Sequence, residues 1–219
     1  MIIAIDGPAG AGKSTVARIT AQKLGFLYID TGAMYRALTL KALEKKIDVK
    51  DTAALIEMAR SSVIDLVDNQ DGALKVFLDG KDVSQPIRKP HITKLVSDIA
   101  KIKGVRQIML ALQRKMGQQR DSLLDGRDIG TVVFPEAERK FYIDADFKER
   151  VRRRYTELKE LGQDVTPEDI ENDLRNRDKI DSTREFAPLK KADDAVYIDT
   201  TNMSIEEVVK KILECINGF

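Results

Sequence analysis

The clearest pattern in this sequence is a set of short apolar runs that each end at an aspartate. Residues 2–5 are apolar at every position, and an unbroken run of this length is typical of a strand buried on both faces of a parallel sheet. Similar runs precede Asp125, Asp144 and Asp199. Because ligands bind at the carboxyl ends of the strands in open α/β sheets, we expect these aspartates to crowd toward one site.

Between the first two runs the apolar spacing becomes helical. Val16, Ile19 and Leu24 recur at roughly helical intervals and a glycine follows, which predicts a helix over residues 13–24. Residues 26–29 predict the next strand. The order strand, loop, helix, strand indicates an α/β fold with a parallel sheet.

A different pattern appears between residues 63 and 84, where polar and apolar positions alternate over short runs. Leu74, Val76 and Leu78 would share one face, and the Asp-Gly pairs at 71–72 and 79–80 are typical turn sequences. The pattern therefore predicts a small antiparallel sheet inserted into the α/β core.

Helices are expected on both sides of this insert, at about residues 33–45 and at about 91–116 with a break near Gly104. Such a lobe could clamp a second substrate. The predicted organisation is a core of residues 1–35 and 120–219 and a lobe of about residues 36–119.

The C-terminal part of the chain is rich in charge. Residues 147–161 predict a charged helix, and Thr166 followed by Pro167 is a typical start for another. Together they suggest a helical lid over about residues 147–180. Ser204 and Glu207 have capping-box spacing and open an amphipathic last helix.

Two interpretations of the arginines at 150, 152, 153 and 154 stay open. Arg150 and Arg154 share a helix face and could close over phosphates and exclude water. A solvated charged face partnered by Glu149 and Glu157 explains any single arginine of the run equally well. No arginine of this helix is therefore assigned to catalysis.

Composition limits the classes of partner. The 37 Lys and Arg balance 36 Asp and Glu, so the net charge of +1 provides no bulk attraction to nucleic acid or to an anionic membrane. The apolar start is too short for a signal peptide or a membrane span, and the single Cys215 forms no intramolecular disulfide. We expect a cytoplasmic globular protein, monomeric by default, in which His91 and Cys215 have surface and packing roles.

The strongest chemical signal is a glycine-rich stretch directly after the first strand. It matches the P-loop pattern G-x-x-x-x-G-K-S, in which backbone N–H groups and a helix N-terminus bind phosphate. Lys13 would reach the β and γ phosphates and the Ser14 hydroxyl would bind Mg²⁺. The alternative is a glycine-rich turn without a ligand. The predicted ATP-binding residues are Gly7, Pro8, Ala9, Gly10, Ala11, Gly12, Lys13, Ser14 and Thr15.

A P-loop alone does not distinguish a kinase from an ATPase, a GTPase or a motor. The sequence has no Asn-Lys-x-Asp motif for guanine and no long apolar strand ending in an Asp-Glu pair. Residues 123–128 instead resemble the strand-end motif of nucleoside monophosphate kinases. This resemblance implies that Asp125 organises Mg²⁺ through water and that Arg127 holds phosphate.

Residues 30–36, 125–131 and 184–189, with the P-loop, resemble the successive blocks of bacterial-type cytidylate kinases over essentially the whole chain. The resemblance implies a P-loop three-layer α/β fold and transfer of the γ-phosphoryl of ATP, with Mg²⁺, to CMP or dCMP. By similarity, Lys13, Arg127 and Arg184 would serve the transfer. The implied CMP-binding residues are Thr31 and Arg36 near the phosphate, Ser97, Arg106 and Asp128 at the cytosine, Arg177 and Asp181 at the ribose, and Arg127 and Arg184 at phosphate.

The residue types at the implied base site also fit cytosine chemically. Cytosine exposes an N4 amino donor beside the O2 and N3 acceptors, which complement the Asp128 carboxylate and the Arg106 guanidinium. Uracil would place a carbonyl against Asp128 and leave two acceptors unpaired, at a cost of about 1–3 kcal/mol. Two other functions stay open, a P-loop kinase for UMP, AMP or an alcohol, and a nucleotide-dependent switch.

Overall fold

The structure is a computed structural model that describes residues 1–68 and 74–218. The strands are β1 Ile2–Asp6, β2 Leu27–Asp30, β3 Ile64–Asp68, β4 Leu74–Leu78, β5 Lys81–Asp82, β6 Ser122–Gly126, β7 Arg139–Asp144 and β8 Val196–Asp199. The helices are α1 Lys13–Leu24, α2 Thr31–Glu44, α3 Thr52–Arg60, α4 Pro90–Ala100, α5 Lys103–Gly117, α6 Phe147–Glu160, α7 Pro167–Thr183 and α8 Ile205–Asn217. Short helical turns cover Pro86–Arg88 and Ile129–Val133.

Five parallel strands form the core sheet in the order β2-β6-β1-β7-β8. The chain leaves the central strand β1 toward one edge and later returns to build the other edge, so the sheet has a topological switch point beside β1. Asp30 pairs with Asp125, and Asp144 pairs with Asp199. The aspartates therefore align at the carboxyl ends of the strands, as expected. The expected crowding toward one site holds only in part, because Asp30 and Asp125 line the large cavity of the protein and Asp144 and Asp199 do not.

The two faces of the sheet are covered by different helices, which makes three layers. Ile3 and Ile5 point to one face, where they pack with residues of α1 and α8 such as Val16 and Ile212. Ala4 points to the other face and joins the larger cluster with residues of α2, α4 and α5. An apolar run without alternation is therefore needed, because both faces of β1 are buried.

The predicted antiparallel insert is present as the three-stranded sheet β3-β4-β5. Ile64, Val76 and Leu78 are buried in the larger cluster. The turn at 79–80 is confirmed, since Asp79 and Gly80 both have positive φ angles, and the predicted turn at 71–72 lies outside the described residues. The Nζ atom of Lys41 contacts Asp79 Oδ2 at 2.5 Å and ties this sheet to α2.

Two predicted element boundaries differ from the structure. Helix α2 begins at Thr31 rather than near residue 33, because the Asp30 side chain accepts a hydrogen bond from the N–H of Ala33 at 2.7 Å and caps the helix. The break in the long helical segment lies between α4 and α5 at residues 101–102, not at Gly104. Gly104 lies inside α5, where a Cβ atom would come within 2.5 Å of Ile56 Cδ1, so the glycine permits close packing of α3 on α5.

Helices α6 and α7 pack against each other through Leu158, Ile170 and Leu174, and this small cluster also contains Ala9 of the P-loop. Both predicted helix starts are confirmed as capping boxes, at Thr166 and at Ser204. None of the helices in the described residues has the length and apolar character that a membrane span requires.

Candidate active site

The glycine-rich loop runs from the end of β1 into the first turn of α1. Gly7, Gly10 and Gly12 all have positive φ angles, and Gly12 is the N-terminal cap of α1. A Cβ atom on Gly7 would overlap the carbonyl oxygen of Ile143 on the neighbouring strand, so no other residue fits there. The loop thus presents backbone N–H groups and a helix N-terminus to the same space, which is the arrangement that binds phosphate.

Lys13 is buried beside this loop, with only 5% of its surface exposed. Its Nζ donates a 2.5 Å hydrogen bond to the carbonyl oxygen of Pro8, which is a neutral partner. Burial lowers the pKa of the Lys13 ammonium well below its ordinary value, and the positive charge of Arg127 acts in the same direction. A bound phosphate would reverse both effects, because a nearby negative charge favours the protonated amine.

Ser14 and Asp125 lie together at the mouth of the loop. The Ser14 hydroxyl donates to Asp125 Oδ2 at 2.7 Å and the Tyr28 hydroxyl donates to Asp125 Oδ1 at 2.9 Å. Burial raises the pKa of the Asp125 carboxyl to about 6, with a further contribution from the negative charge of Asp30. The carboxylate is therefore held in one orientation by two hydroxyl groups.

This pair of oxygen ligands fits Mg²⁺. The ion usually takes one or two protein oxygens and completes its shell with substrate phosphates and water. Within the described residues there is no cluster of three His, Cys, Asp or Glu side chains that could hold a metal ion by itself. Ser14 and Asp125 therefore suit an ion that arrives with a nucleotide.

One cavity of about 1030 Å³ joins the loop to the other predicted site residues. Ligand pockets commonly measure about 300–1,000 Å³, so this volume lies at the upper limit of that range. The predicted residues that line it are Ala9, Gly10, Ala11, Gly12, Lys13, Ser14, Thr15, Thr31, Arg36, Ser97, Arg106, Asp125, Arg127, Asp128, Arg177, Asp181 and Arg184. Gly7 and Pro8 are not among the lining residues, because Gly7 packs on β7 and Pro8 turns its carbonyl to Lys13.

At the end of the cavity away from the P-loop, a buried carboxylate is held between two guanidinium groups. Asp128 Oδ2 lies 2.6 Å from Arg106 Nη2, and Asp128 Oδ1 lies 3.4 Å from Arg184 Nη2. The Arg106 guanidinium carbon is 5.4 Å from the centre of the Tyr35 ring, which supports it from one side. Burial raises the pKa of Tyr35 to about 12, so its hydroxyl stays protonated.

Between the two ends lies a group of cations. Arg127 Nε contacts Asp181 Oδ2 at 2.9 Å, and Arg184 Nη1 lies 3.6 Å from Asp181 Oδ1. Arg177 is less well paired. Among the residues that the structure describes, its nearest carboxylate, on Asp173, is 3.8 Å away and its buried Nε has no hydrogen-bond partner. Burial lowers the pKa of Arg177 to about 10, and the charge of Arg127 adds to this effect. A buried and incompletely paired cation with a lowered pKa, such as Arg177, is typical of a site that binds an anion.

The arginines of α6 occupy different positions. Arg150 does not line the cavity; it is buried behind the P-loop, where its Nη1 donates to the Ala9 carbonyl at 3.0 Å and contacts Asp178 at 2.6 Å. The hypothesis that Arg150 closes over phosphates together with Arg154 does not fit this placement, because these contacts fix Arg150 against the loop backbone.

Arg152, Arg153 and Arg154 do line the cavity. Arg153 donates to the Thr200 carbonyl at 2.6 Å and to Glu149 at 2.8 Å, so it links α6 to the loop after β8. Arg152 bonds to Glu149, and Arg154 bonds to Glu157, both at 2.7 Å.

Sequence reasoning missed one wall of the cavity. Thr200, Thr201, Met203, Ile205 and Val208 line it near the P-loop. These residues form no motif, but Thr200 follows directly after an aspartate that ends a strand. The rule that ligands lie at the carboxyl ends of parallel strands could have identified the segment. Arg88, in the turn before α4, also lines the cavity and was not predicted.

The fold is a parallel sheet with a P-loop after its central strand, and one cavity joins this loop to a second site of paired arginines and aspartates. The class of protein is therefore a P-loop phosphotransferase that acts on nucleoside monophosphates. The sequence model of cytidylate kinase matches residues 3–218. The chain therefore belongs to the cytidylate kinase family.

Individual relatives agree with this membership. The chain is 50% identical over 217 residues to the cytidylate kinase of Clostridioides difficile (strain 630), covering 99% of this chain and 98% of that protein. It is 52% identical over 211 residues to the cytidylate kinase of Desulforamulus reducens, covering 96% and 94% of the two chains.

Solved structures with low sequence identity share the fold. Shikimate kinase from Acinetobacter baumannii superposes with a TM-score of 0.50 at 17% identity, covering 99% of this chain and 93% of that one. An uncharacterized protein from Eubacterium ventriosum gives a TM-score of 0.53 at 14% identity, covering 100% and 99%.

Proposed function

We propose that this chain transfers the γ-phosphoryl group of ATP to the α-phosphate of CMP or dCMP, giving ADP and CDP or dCDP. The observation that carries the proposal is the charge arrangement along the cavity. The cavity has the P-loop with Lys13 at one end and the Asp128 pair with Arg106 at the other, and Arg177 also lines it; burial lowers the pKa of both Lys13 and Arg177. Two nucleotides bound with their phosphates next to these cations would explain why the cavity has a phosphate-binding loop at one end and a base-binding pair at the other.

The donor end would act mainly by holding the triphosphate. The loop N–H groups and Lys13 bind its phosphate oxygens, and Ser14 with Asp125 forms the site for Mg²⁺. The chemistry that Mg²⁺ supplies when bound is neutralisation of charge on the phosphate oxygens. Donor groups that are already gathered around one loop would leave little reorganisation to oppose the transfer.

The acceptor end would read the base and hold the monophosphate. Asp128 accepts from the N4 amino group of cytosine, and Arg106 and Ser97 complete the base site. Thr31, Arg36, Arg127 and Arg184 hold the phosphate, and Arg177 with Asp181 holds the ribose. These roles rest on charge and hydrogen-bond complementarity, because guanidinium groups bind phosphate oxygens well.

The transfer step forms one P–O bond and breaks another. An oxygen of the acceptor α-phosphate attacks the γ-phosphorus in line, and ADP departs with the electron pair of the broken bond. The acceptor oxygen is already anionic near neutral pH, so no general base is required. Lys13, Arg127 and Arg184 stabilise the charge that spreads over the γ-phosphoryl oxygens.

Two further parts of the proposal concern organisation. The segment of about residues 147–180 serves as a lid that excludes water, anchored behind the P-loop by Arg150 and near the donor by Arg153. The lobe of about residues 36–119 binds CMP against the core of residues 1–35 and 120–219. We also propose a cytoplasmic monomer that uses no nucleic acid or membrane partner.

The deciding experiment is an ADP-release assay with ATP, Mg²⁺ and a panel of acceptors that includes CMP, dCMP, UMP, AMP and shikimate. CMP and dCMP are expected to give the highest kcat/KM, with UMP lower by about ten- to hundredfold because a uracil carbonyl faces Asp128. Turnover of ATP that did not depend on a nucleotide acceptor would favour the switch hypothesis. A better acceptor from outside the cytidine nucleotides would contradict the proposal.

A further inference from the structure

Asp6, the last residue of β1, makes a contact that the proposed mechanism does not use. Its Oδ1 accepts a 2.8 Å hydrogen bond from the N–H of Ile129, and its Oδ2 accepts a 2.7 Å bond from the N–H of Gly130. The side chain is 4% exposed and forms no ion pair within the described part of the chain. Both oxygens are therefore directed to one backbone turn.

The turn that Asp6 binds begins immediately after Asp128. The carbonyl oxygen of Asp128 accepts from the N–H groups of Val132 and Val133 at 2.9 and 3.1 Å, so the turn is fixed from inside by its own backbone. Its leading N–H groups have no such partner within a helical turn. The Asp6 carboxylate supplies that partner from a different strand.

Only a carboxylate meets this requirement with both of its oxygens. The amide of asparagine offers one acceptor and would place its own N–H₂ group against a backbone donor. The arrangement has a cost, since burial raises the pKa of Asp6 to about 7 despite the two hydrogen bonds from Ile129 and Gly130. Burying the Asp6 carboxylate costs free energy, and its hydrogen bonds go only to backbone N–H groups. Its role is therefore to fix the position of that backbone.

We infer that Asp6 is a positioning residue for the acceptor site, which fixes the turn that carries Asp128 relative to the P-loop. The residue is suited to this because it directly precedes Gly7, so one side chain joins the start of the donor loop to the base-reading turn. It touches no substrate and acts through Asp128. The inference rests on the proposed function, because the position of Asp128 affects CMP binding only if Asp128 contacts the cytosine.

The test is the variant Asp6→Asn, assayed with ATP and CMP beside the wild-type enzyme. The KM for CMP should rise by about tenfold or more, because a buried donor loses its partner and Asp128 shifts. The affinity for ATP, measured by calorimetry without acceptor, should change by less than about twofold. The control Asp51→Asn makes the same replacement at the exposed N-terminal cap of α3, outside the cavity, and should change neither constant.

A double-mutant cycle separates positioning from general destabilisation. If Asp6 acts through Asp128, then adding Asp6→Asn to an Asp128→Asn enzyme should change kcat/KM for CMP by less than about twofold, since the two substitutions disturb one interaction. Multiplicative losses, or equal losses of ATP and CMP affinity, would overturn the inference.

A second variant keeps the test decisive if Asp6→Asn does not fold. Asp6→Glu retains the charge and both oxygens but displaces them by one methylene, and it should raise the KM for CMP with the affinity for ATP retained. Unchanged CMP kinetics would again overturn the positioning role. Failure of the wild-type enzyme to prefer CMP would instead count against the proposed function alone.

Discussion

The donor end and the acceptor end of the cavity are built in different ways. The proposed donor end is one continuous stretch of chain whose backbone and helix N-terminus line the cavity, with Lys13 as its main side chain. The acceptor end is a network of side chains from α2, α4, α5, α7 and the turn after β6, in which Asp128 joins Arg106 and Arg184. Under the proposed function, triphosphate binding would therefore depend on one local stretch of chain, whereas base recognition would depend on tertiary contacts.

The charges at the two ends also differ. At the acceptor end, Asp128 and Asp181 already have guanidinium partners within 3.6 Å. At the donor end, Lys13 donates to a neutral carbonyl and its pKa is lowered. Because the carboxylates of the acceptor network already have cationic partners and the donor cation bonds only to a neutral carbonyl, loss of a donor cation should affect the reaction, and loss of an acceptor carboxylate should affect selectivity.

Replacement of Lys13 by alanine should have the largest effect. We expect kcat to fall by at least about 10²- to 10³-fold, which is typical for loss of one preorganised charge-stabilising group. Thermal unfolding without ligand should show no loss of stability, because burial already disfavours the ammonium at this position. Lys23→Ala, on the exposed part of the same helix, is the matched control. Near-normal turnover by the Lys13 variant would contradict the P-loop assignment.

Replacement of Asp128 by asparagine should alter the substrate choice. The amide can donate to the O4 carbonyl of uracil, so kcat/KM for CMP should fall by about ten- to hundredfold while the ratio of UMP to CMP use rises. Binding of ATP should stay within about twofold of the wild-type value. An equal loss for CMP and UMP would show that Asp128 holds the two arginines without reading the base.

The smallest expected effect concerns the contact between the lid and the donor side. Hydrogen bonds from Arg152, and then from Arg153, lower the pKa of Glu149 to about 2 from an ordinary value of 4.5. A folded-state pKa below the unfolded value means that the pair stabilises the protein above about pH 4.5 and that this contribution is lost as pH falls toward 2. Glu149→Gln should thus lower the free energy of unfolding by less than about 1 kcal/mol at pH 7.

Urea unfolding at pH 7 and at successively lower pH would measure this prediction. The difference between Glu149→Gln and the wild type should shrink below about pH 4.5 and nearly vanish near pH 2. A difference that stayed constant with pH would mean that packing of the side chain, and not its charge, supports the contact.

The sequence determined the features that depend on neighbouring residues. The P-loop, the helix start at Thr166 and the capping box at Ser204 depend on contacts within a few positions, so their spacing was sufficient to predict them. The proposed acceptor residues followed from resemblance to a family, and the structure brings all of them to one cavity.

Only the tertiary structure decided the features that join distant parts of the chain. Arg150 contacts Ala9 across 141 positions and Asp6 bonds Ile129 across 123, and no spacing rule relates such residues. The wall from Thr200 to Val208 likewise becomes part of the site through the sheet. Strand β8 pairs with β7, and β7 is the neighbour of β1, the strand that leads into the P-loop. The chemistry of each end depends on residue types, which can be read from the sequence. The distance between the ends is a matter of packing, which only the folded chain defines.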